Sequence, residues 1–185
     1  MAYKIRYGPQ IHISGGFCIL LAVMVLLVPL PWLVACMVAA VFHELCHYAA
    51  IRLLCGDCAG IFVHCFAAKL PLPEMSATKE ILCALAGPAG GLLLLCLSPW
   101  LPRIGLCAAV QSMYNLIPIY PLDGGRVLRC GLSMVLKPPM AERVSACIGQ
   151  ICKWGIVWLG IYGSLGLGFG IFPLLLAALF WIRVK

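Results

Sequence analysis

Acidic side chains are scarce in this sequence. Its 185 residues include 6 Asp and Glu and 13 Lys and Arg, so that 10% of the residues are charged. Soluble domains carry about 25% charged residues, and this shortage therefore excludes an ordinary soluble domain. A basic stripe with interleaved aromatic residues is also lacking. For this reason the formal net charge of +7 does not indicate a nucleic-acid partner.

Apolar residues dominate the chain, with 64% hydrophobic residues and a mean hydropathy of +1.07. They come in runs of about 17 to 23 residues, the length that crosses a hydrocarbon core of ~30 Å. The pattern predicts an all-α polytopic protein of the lipid bilayer, a single domain over residues 1–185 without a soluble regulatory or peptide-binding domain. About six transmembrane helices are predicted, over residues 11–30 or 15–30, 32–54, 81–97, 104–136, 146–162 and 165–181.

Two stretches depart from a plain spanning helix. Residues 61–66 are β-prone and short, which predicts a β-hairpin or extended segment between the second and third spans. The fourth run, 104–136, would reach about 50 Å as a straight helix and must therefore break. The break is predicted at 115–125, where two prolines and two glycines interrupt the run. Residues 137–143 are predicted to form a polar link.

The basic residues predict an orientation. With six spans, eleven of the 13 basic residues lie on the same side as both termini. The positive-inside rule then places both termini in the cytoplasm, in a multi-pass protein of the cell membrane. These residues are Lys4, Arg6, Arg52, Lys69, Lys79, Arg126, Arg129, Lys137, Arg143, Arg183 and Lys185.

Most of the 12 cysteines lie inside apolar runs. Free cysteine behaves there as a small hydrophobe, so a disulfide framework is not favoured. Cys55 and Cys58, followed by His64 and Cys65, have the spacing of half a structural zinc site. A lone C-x-x-C pattern is weak, and a second metal at these residues is left open.

The second predicted span contains the stretch Phe42-His43-Glu44-Leu45-Cys46-His47. Residues four apart lie on one face of a helix, so His43 and His47 can offer imidazole nitrogens to the same metal ion. Glu44 can reach the open coordination position and accept a proton from water there. Ionisable groups are costly within a membrane and are usually functional.

A catalytic zinc usually has three protein ligands, and this span supplies two. Asp123 is the one other carboxylate that is embedded in apolar sequence, since the remaining acidic residues lie in or beside predicted links. Its alternative role is to cap a helix. Because an uncompensated carboxylate at that depth would be costly, Asp123 is predicted to be the third ligand.

The His-Glu-x-x-His stretch and the downstream Asn115-Leu116-Ile117-Pro118-Ile119-Tyr120-Pro121-Leu122-Asp123-Gly124-Gly125 together resemble the site-2 protease family of intramembrane zinc metalloproteases. The resemblance points in particular to the branch with the stage IV sporulation protease, which processes a sigma-factor precursor. It implies one Zn²⁺ per chain on His43, His47 and Asp123, with Glu44 as the catalytic base. It also implies that Asn115 holds the substrate or stabilises the oxyanion, and that an unwound substrate pairs as a strand near 61–66.

The implied activity is that of a zinc-dependent metalloendopeptidase. Its substrates would be transmembrane or membrane-associated proteins, cleaved near the cytoplasmic face in regulated intramembrane proteolysis, for example of a transcription-factor precursor. A regulatory membrane partner is also expected. Two alternatives stay open: a membrane metal transporter, which would not need Glu44 beside His43, and a catalytically silent relative.

Overall fold

The computed structural model describes residues 11–13, 24–26, 28–56, 61–63, 68–69 and 75–168, and a few positions beyond 168 (170–171, 173–174, 177–178 and 181). The chain forms two compact units, residues 1–112 and residues 113–185. The prediction of a single domain stays a prediction.

Two long apolar helices form the main part of the first unit, α1 (Leu30–Cys55) and α2 (Ala77–Leu95). Helix α1 has a proline in its first turn. The N–H that proline lacks would have no partner within the helix at this position, so no hydrogen bond is lost. It ends at Cys55 and is capped by Gly56, whose φ of +85° suits a residue without a side chain. Lys79 of α2 donates from Nζ to the carbonyl of Leu54 over 2.9 Å, which satisfies one of the free carbonyls at this helix end.

Small residues allow the helices of this unit to approach closely. A cluster of Ala39, Leu94 and Ala108 is buried, and Ala108 belongs to α3 (Pro102–Asn115), the helix in which the two units divide. A Cβ atom at Gly91 would lie 3.0 Å from the carbonyl oxygen of Ala108, so a side chain there would force the backbones apart. Close approach of this kind replaces the hydrophobic driving force that water gives to soluble helices.

A small sheet accompanies the helices. Strands β1 (Ile11–Ile13), β2 (Ile61–Val63) and β3 (Ala68–Lys69) lie in that order, with β1 parallel to β2 and β2 antiparallel to β3. The first predicted span therefore does not start at residue 11, because β1 pairs there with a segment fifty residues later. Local hydropathy cannot indicate a pairing between segments so far apart in sequence. Residues 64–67 lie outside the described residues, so the hairpin stays a prediction.

The fourth predicted span is broken, as expected. Helix α3 ends at Asn115 and α4 (Asp123–Ser133) begins after an irregular segment that contains a cis peptide bond before Pro121. With 14 and 11 residues, these helices are about 21 and 17 Å long, so neither crosses a ~30 Å core alone.

The second unit is completed by α5 (Pro138–Ile161), which continues as a π-helical turn, Tyr162–Gly166. The predicted polar link at 137–143 is wrong, because α5 already begins at Pro138. Prolines in a first turn are preorganised for a helix, and the charged residues that follow occupy its first turns. The core of this unit is formed by Ile119 and Leu122, against which Cys152 and Ile156 pack.

Three helices within the described residues are long and apolar enough to cross a membrane: Leu30–Cys55, Ala77–Leu95 and Pro138–Gly166. The chain is thus a helical protein with membrane-spanning candidates. The first predicted span lies largely outside the described residues and the last is described in part, and the count of six and the orientation of the termini stay predictions.

Candidate metal centre

Two buried histidines lie side by side on consecutive turns of α1. His43 and His47 are 3% and 6% exposed, and their Nε2 atoms lie 3.1 Å apart. Two ligands at zinc–nitrogen distances of about 2.05 Å and tetrahedral angles are separated by about 3.3 Å. The observed separation of the Nε2 atoms therefore suits two ligands of one ion.

The orientation of His47 is fixed by the backbone of α2. Its Nδ1 lies 2.7 Å from the carbonyl oxygen of Cys83, and since a carbonyl can only accept, Nδ1 carries the proton. This tautomer, assigned from the hydrogen bond, leaves the Nε2 lone pair for a metal. Such an outer hydrogen bond orients a metal-binding imidazole and raises its basicity.

Gly87 of α2 lies directly against the two imidazole rings. A Cβ atom at this position would lie 2.6 Å from Cε1 of His47 and 2.8 Å from Cε1 of His43. Both contacts are shorter than any that real Cβ atoms make. The absence of a side chain at Gly87 is thus a condition for this arrangement of the histidines.

Asp123 of the second unit is the first residue of α4 and is 8% exposed. The preceding residue, Leu122, has the extended conformation of an N-cap, so Asp123 is not itself the N-cap residue. A carboxylate in the first turn is stabilised by the partial positive charge of the helix N-terminus. One turn later, Nη1 of Arg126 lies 3.9 Å from Oδ1 of Asp123.

The glycine pair after Asp123 allows the start of α4 to lie against the irregular segment before it. A Cβ atom at Gly124 would lie 2.7 Å from the carbonyl oxygen of Ile117, and one at Gly125 would lie 2.6 Å from that of Ile119. Because the obstacles are backbone atoms, a side chain at either glycine would have to move the segment. The glycines therefore help to fix the place of Asp123.

His43, His47 and Asp123 form a group that could hold a metal ion. Each offers one ligand atom, these atoms all lie within 4.8 Å of one another, and all three residues are buried. Two imidazoles and a carboxylate are a common ligand set of catalytic zinc, which leaves a fourth position for water or substrate. The chemistry of the donors thus fits the ion that the sequence predicts.

The other predicted site residues occupy less defined positions. Glu44 is half-buried on α1 beside His43, and Asn115 is the half-buried last residue of α3. Cys46 packs towards α2, where Gly90 leaves room for its thiol, and it is not part of the metal-binding group. Of the residues considered for a second metal, Cys58, His64 and Cys65 lie outside the described residues.

Among solved structures, the chain is similar to the site-2 protease from Methanocaldococcus jannaschii. The two share 23% sequence identity with a TM-score of 0.67, over 94% of this chain and 89% of that protein. The chain has the fold of a site-2 protease. At this level of identity a fold is shared more reliably than an activity, which has to be argued from the site. No profile of a known protein family and no curated protein matches the sequence.

Three features of the site were not identified from the sequence. These are the carbonyl of Cys83, the contact of Gly87 with the imidazole rings, and the proximity of Arg126 to Asp123. The small residues around Gly87 predict close packing but not which side chains they meet. The spacing of three between Asp123 and Arg126 on a helix was a usable signal for the last of them.

Proposed function

We propose that this protein is a zinc-dependent intramembrane endopeptidase of the site-2 protease type. One observation carries the proposal: the ligand atoms of two histidines and one aspartate, all buried, lie within 4.8 Å of one another. The histidines belong to a helix that is apolar enough to span a membrane. The similarity of fold to a site-2 protease supports the same activity.

His43, His47 and Asp123 are the residues that would hold the ion. When bound, zinc supplies Lewis acidity, which lowers the pKa of water towards ~7 and polarises a peptide carbonyl. Glu44 acts as the general base that accepts the proton of the attacking water and then passes it to the leaving amine. Its place beside His43 on the same helix, half-buried, suits this role.

Asn115 is proposed to contact the substrate. Its amide can donate a hydrogen bond to the oxygen that becomes negative as water adds to the peptide carbonyl. It ends α3 where the span breaks, and residues at such a break have side chains and backbone groups available to a ligand.

The substrates are proposed to be transmembrane or membrane-associated proteins, cleaved near the cytoplasmic face. A helical substrate shields its peptide bonds and must unwind before hydrolysis, and an unwound segment could add as a strand to the sheet of β1, β2 and β3. Regulated cleavage of a transcription-factor precursor, as in the sporulation branch, and control by a membrane partner belong to the same proposal. The proposal also includes six membrane spans, a β-hairpin after α1 and termini that both lie in the cytoplasm.

The test uses the purified full chain and its Glu44→Gln variant, with Glu80→Gln as the matched control at the start of α2. We expect wild type and Glu80→Gln to bind one zinc per chain and to cleave membrane-spanning test peptides in a chelator-sensitive reaction. Glu44→Gln should keep its zinc and lose cleavage by a factor of 10² to 10⁴, roughly the contribution of a general base.

Cleavage by Glu44→Gln at the wild-type rate would show that the catalytic assignment is wrong. Zinc transport into vesicles by a wild type that cleaves no peptide would instead indicate a transporter, since transport does not need a general base beside a ligand.

A further inference from the structure

Two cysteines of the first unit meet at the contact between α1 and α3. The thiol of Cys36 donates a weak hydrogen bond to the sulfur of Cys107, 71 residues later, with the two Sγ atoms 3.3 Å apart. Both thiols are free. A disulfide has an S–S distance of about 2.05 Å, so the sulfur atoms have to close by about 1.3 Å to bond.

The helices that carry these thiols each contribute a residue to one buried cluster, which also contains Leu94 of α2. Ala39, one turn after Cys36, and Ala108, next to Cys107, are each 1% exposed and belong to one buried cluster. Cys107 itself packs against this cluster. The sulfur atoms are therefore close beside a buried cluster drawn from three helices, and their closeness does not rest on two exposed side chains alone.

The two thiols lie near the same kind of helix end. Cys36 is six residues after the start of α1 and Cys107 five residues after the start of α3, which is about 9 and 7.5 Å along the helices. In a core of ~30 Å, whose midplane lies about 15 Å from its surface, both positions fall in the half on the side of these helix starts. In the orientation predicted from the basic residues, this end faces outward, where thiols are not kept reduced.

Their surroundings differ in a way that suits stepwise oxidation. Cys36 is exposed and Cys107 is half-buried, so an oxidant reaches the thiol of Cys36 first. The oxidised Cys36 then has the thiol of Cys107 as its neighbour. A sulfenic acid next to a second thiol condenses to a disulfide.

We propose that Cys36 and Cys107 are a site of intramolecular disulfide formation, with a membrane-permeant hydroperoxide as the oxidant. The sulfur of Cys36 attacks the peroxide oxygen, the O–O bond breaks, and an alcohol leaves with the proton. The thiol of Cys107 then displaces the hydroxyl group of the Cys36 sulfenic acid as water. In sum, two thiols lose two electrons and two protons to one hydroperoxide, which becomes an alcohol and water. The disulfide ties α1 to α3. This proposal does not depend on the proposed protease activity.

The experiment treats the full chain in lipid vesicles with tert-butyl hydroperoxide, blocks the remaining thiols by alkylation, and searches digests for a peptide pair that joins residues 36 and 107. We expect the pair to form in the wild type and to disappear after reduction, with the number of free thiols lower by two. Glu44→Gln should give the same result, since the pair lies apart from the proposed chemistry.

Two variants make the test specific. Cys36→Ser should give no linked pair and leave Cys107 open to alkylation. Cys96→Ser removes another exposed thiol, which donates to the carbonyl of Leu92 four residues earlier, and should form the pair as the wild type does. The proposal is wrong if Cys36 and Cys107 stay reduced while the exposed Cys147 is oxidised. It is equally wrong if Cys36 proceeds to sulfinic acid without joining Cys107.

Discussion

The two parts of the candidate metal centre are built in contrasting ways. His43 and His47 stand on one regular helix of 26 residues, where a spacing of four places them on one face whatever surrounds the helix. Asp123 stands at the start of an 11-residue helix, directly after a break in an apolar run. One half of the site thus follows from local geometry, whereas the other requires an irregular segment to fold in one way. Substitutions in the two halves should weaken zinc binding for different reasons. In the first half they remove ligands, and in the second they displace the backbone that carries the ligand.

The largest effect is expected from the ligands themselves. His47→Ala removes one imidazole and leaves His43 as the only imidazole of the group, so zinc affinity should fall by well over the factor of about 100 that bounds outer-shell changes. Elemental analysis of the purified protein measures how much zinc stays bound. Cys46→Ala, one residue earlier on the same helix, should keep its zinc. Full zinc occupancy in His47→Ala would contradict the ligand assignment.

Gly87→Ala should come next, because it tests whether the regular half of the site depends on its neighbour. The new methyl group would collide with both imidazole rings, and we expect zinc affinity to fall by about 10 to 100-fold, as for lost outer-shell support. Zinc titration against a competing chelator gives the affinity. Gly155→Ala is the matched control, since a Cβ atom there meets nothing within 4 Å.

Unchanged zinc affinity in Gly87→Ala would mean that the imidazole rings can turn away from the new methyl group and still bind zinc. A general loss of folding would be seen as early melting of the zinc-free protein, which separates it from a local effect on the histidines.

Gly124→Ala tests the irregular half. Its methyl group would meet backbone oxygens, which cannot turn aside, so the start of α4 and Asp123 with it must shift. We expect a loss of stability of about 1 to 3 kcal/mol from overpacking, with weaker zinc binding. Thermal melting with and without zinc gives both quantities. At Gly131 on the same helix a methyl group meets nothing, so Gly131→Ala should neither lower the stability nor weaken zinc binding.

The smallest effect is expected at Arg126, whose guanidinium lies near one oxygen of Asp123 and can orient the carboxylate. Arg126→Gln should weaken zinc binding by about 10-fold, the lower end for outer-shell partners, and Arg126→Lys should restore part of it by returning the charge. Arg129→Gln, which removes a cation that lies over Tyr120 instead, serves as the control. Equal zinc affinity in Arg126→Gln and wild type would show that the carboxylate is oriented without this charge.

Removing the metal sharpens the comparison without a mutation. A chelator should lower the melting temperature of the wild type, since a ligand that binds the folded state stabilises it by mass action. The same chelator should leave the melting temperature of His47→Ala nearly unchanged. A similar drop in both would point to zinc binding elsewhere in the chain.

The sequence by itself determined the membrane setting, the pairing of His43 with His47 and the break before Asp123. Hydropathy, helical period and proline chemistry act over a few neighbouring residues, and a linear pattern therefore shows them. The polar composition of residues 137–143 does not indicate the start of α5, because a proline in a first turn begins a helix whatever the polarity of the residues that follow. The pairing of Ile11–Ile13 with Ile61–Val63 could not be predicted from the sequence, since nothing in either segment specifies its partner.

The sequence also predicted Asp123 as the third ligand, but only the tertiary structure decided that the carbonyl of Cys83 sets the tautomer of His47 and that Gly87 makes room for the rings. Each of these is a contact between residues that are far apart in sequence. Their composition permits many such contacts, and the packing of the helices selects one of them.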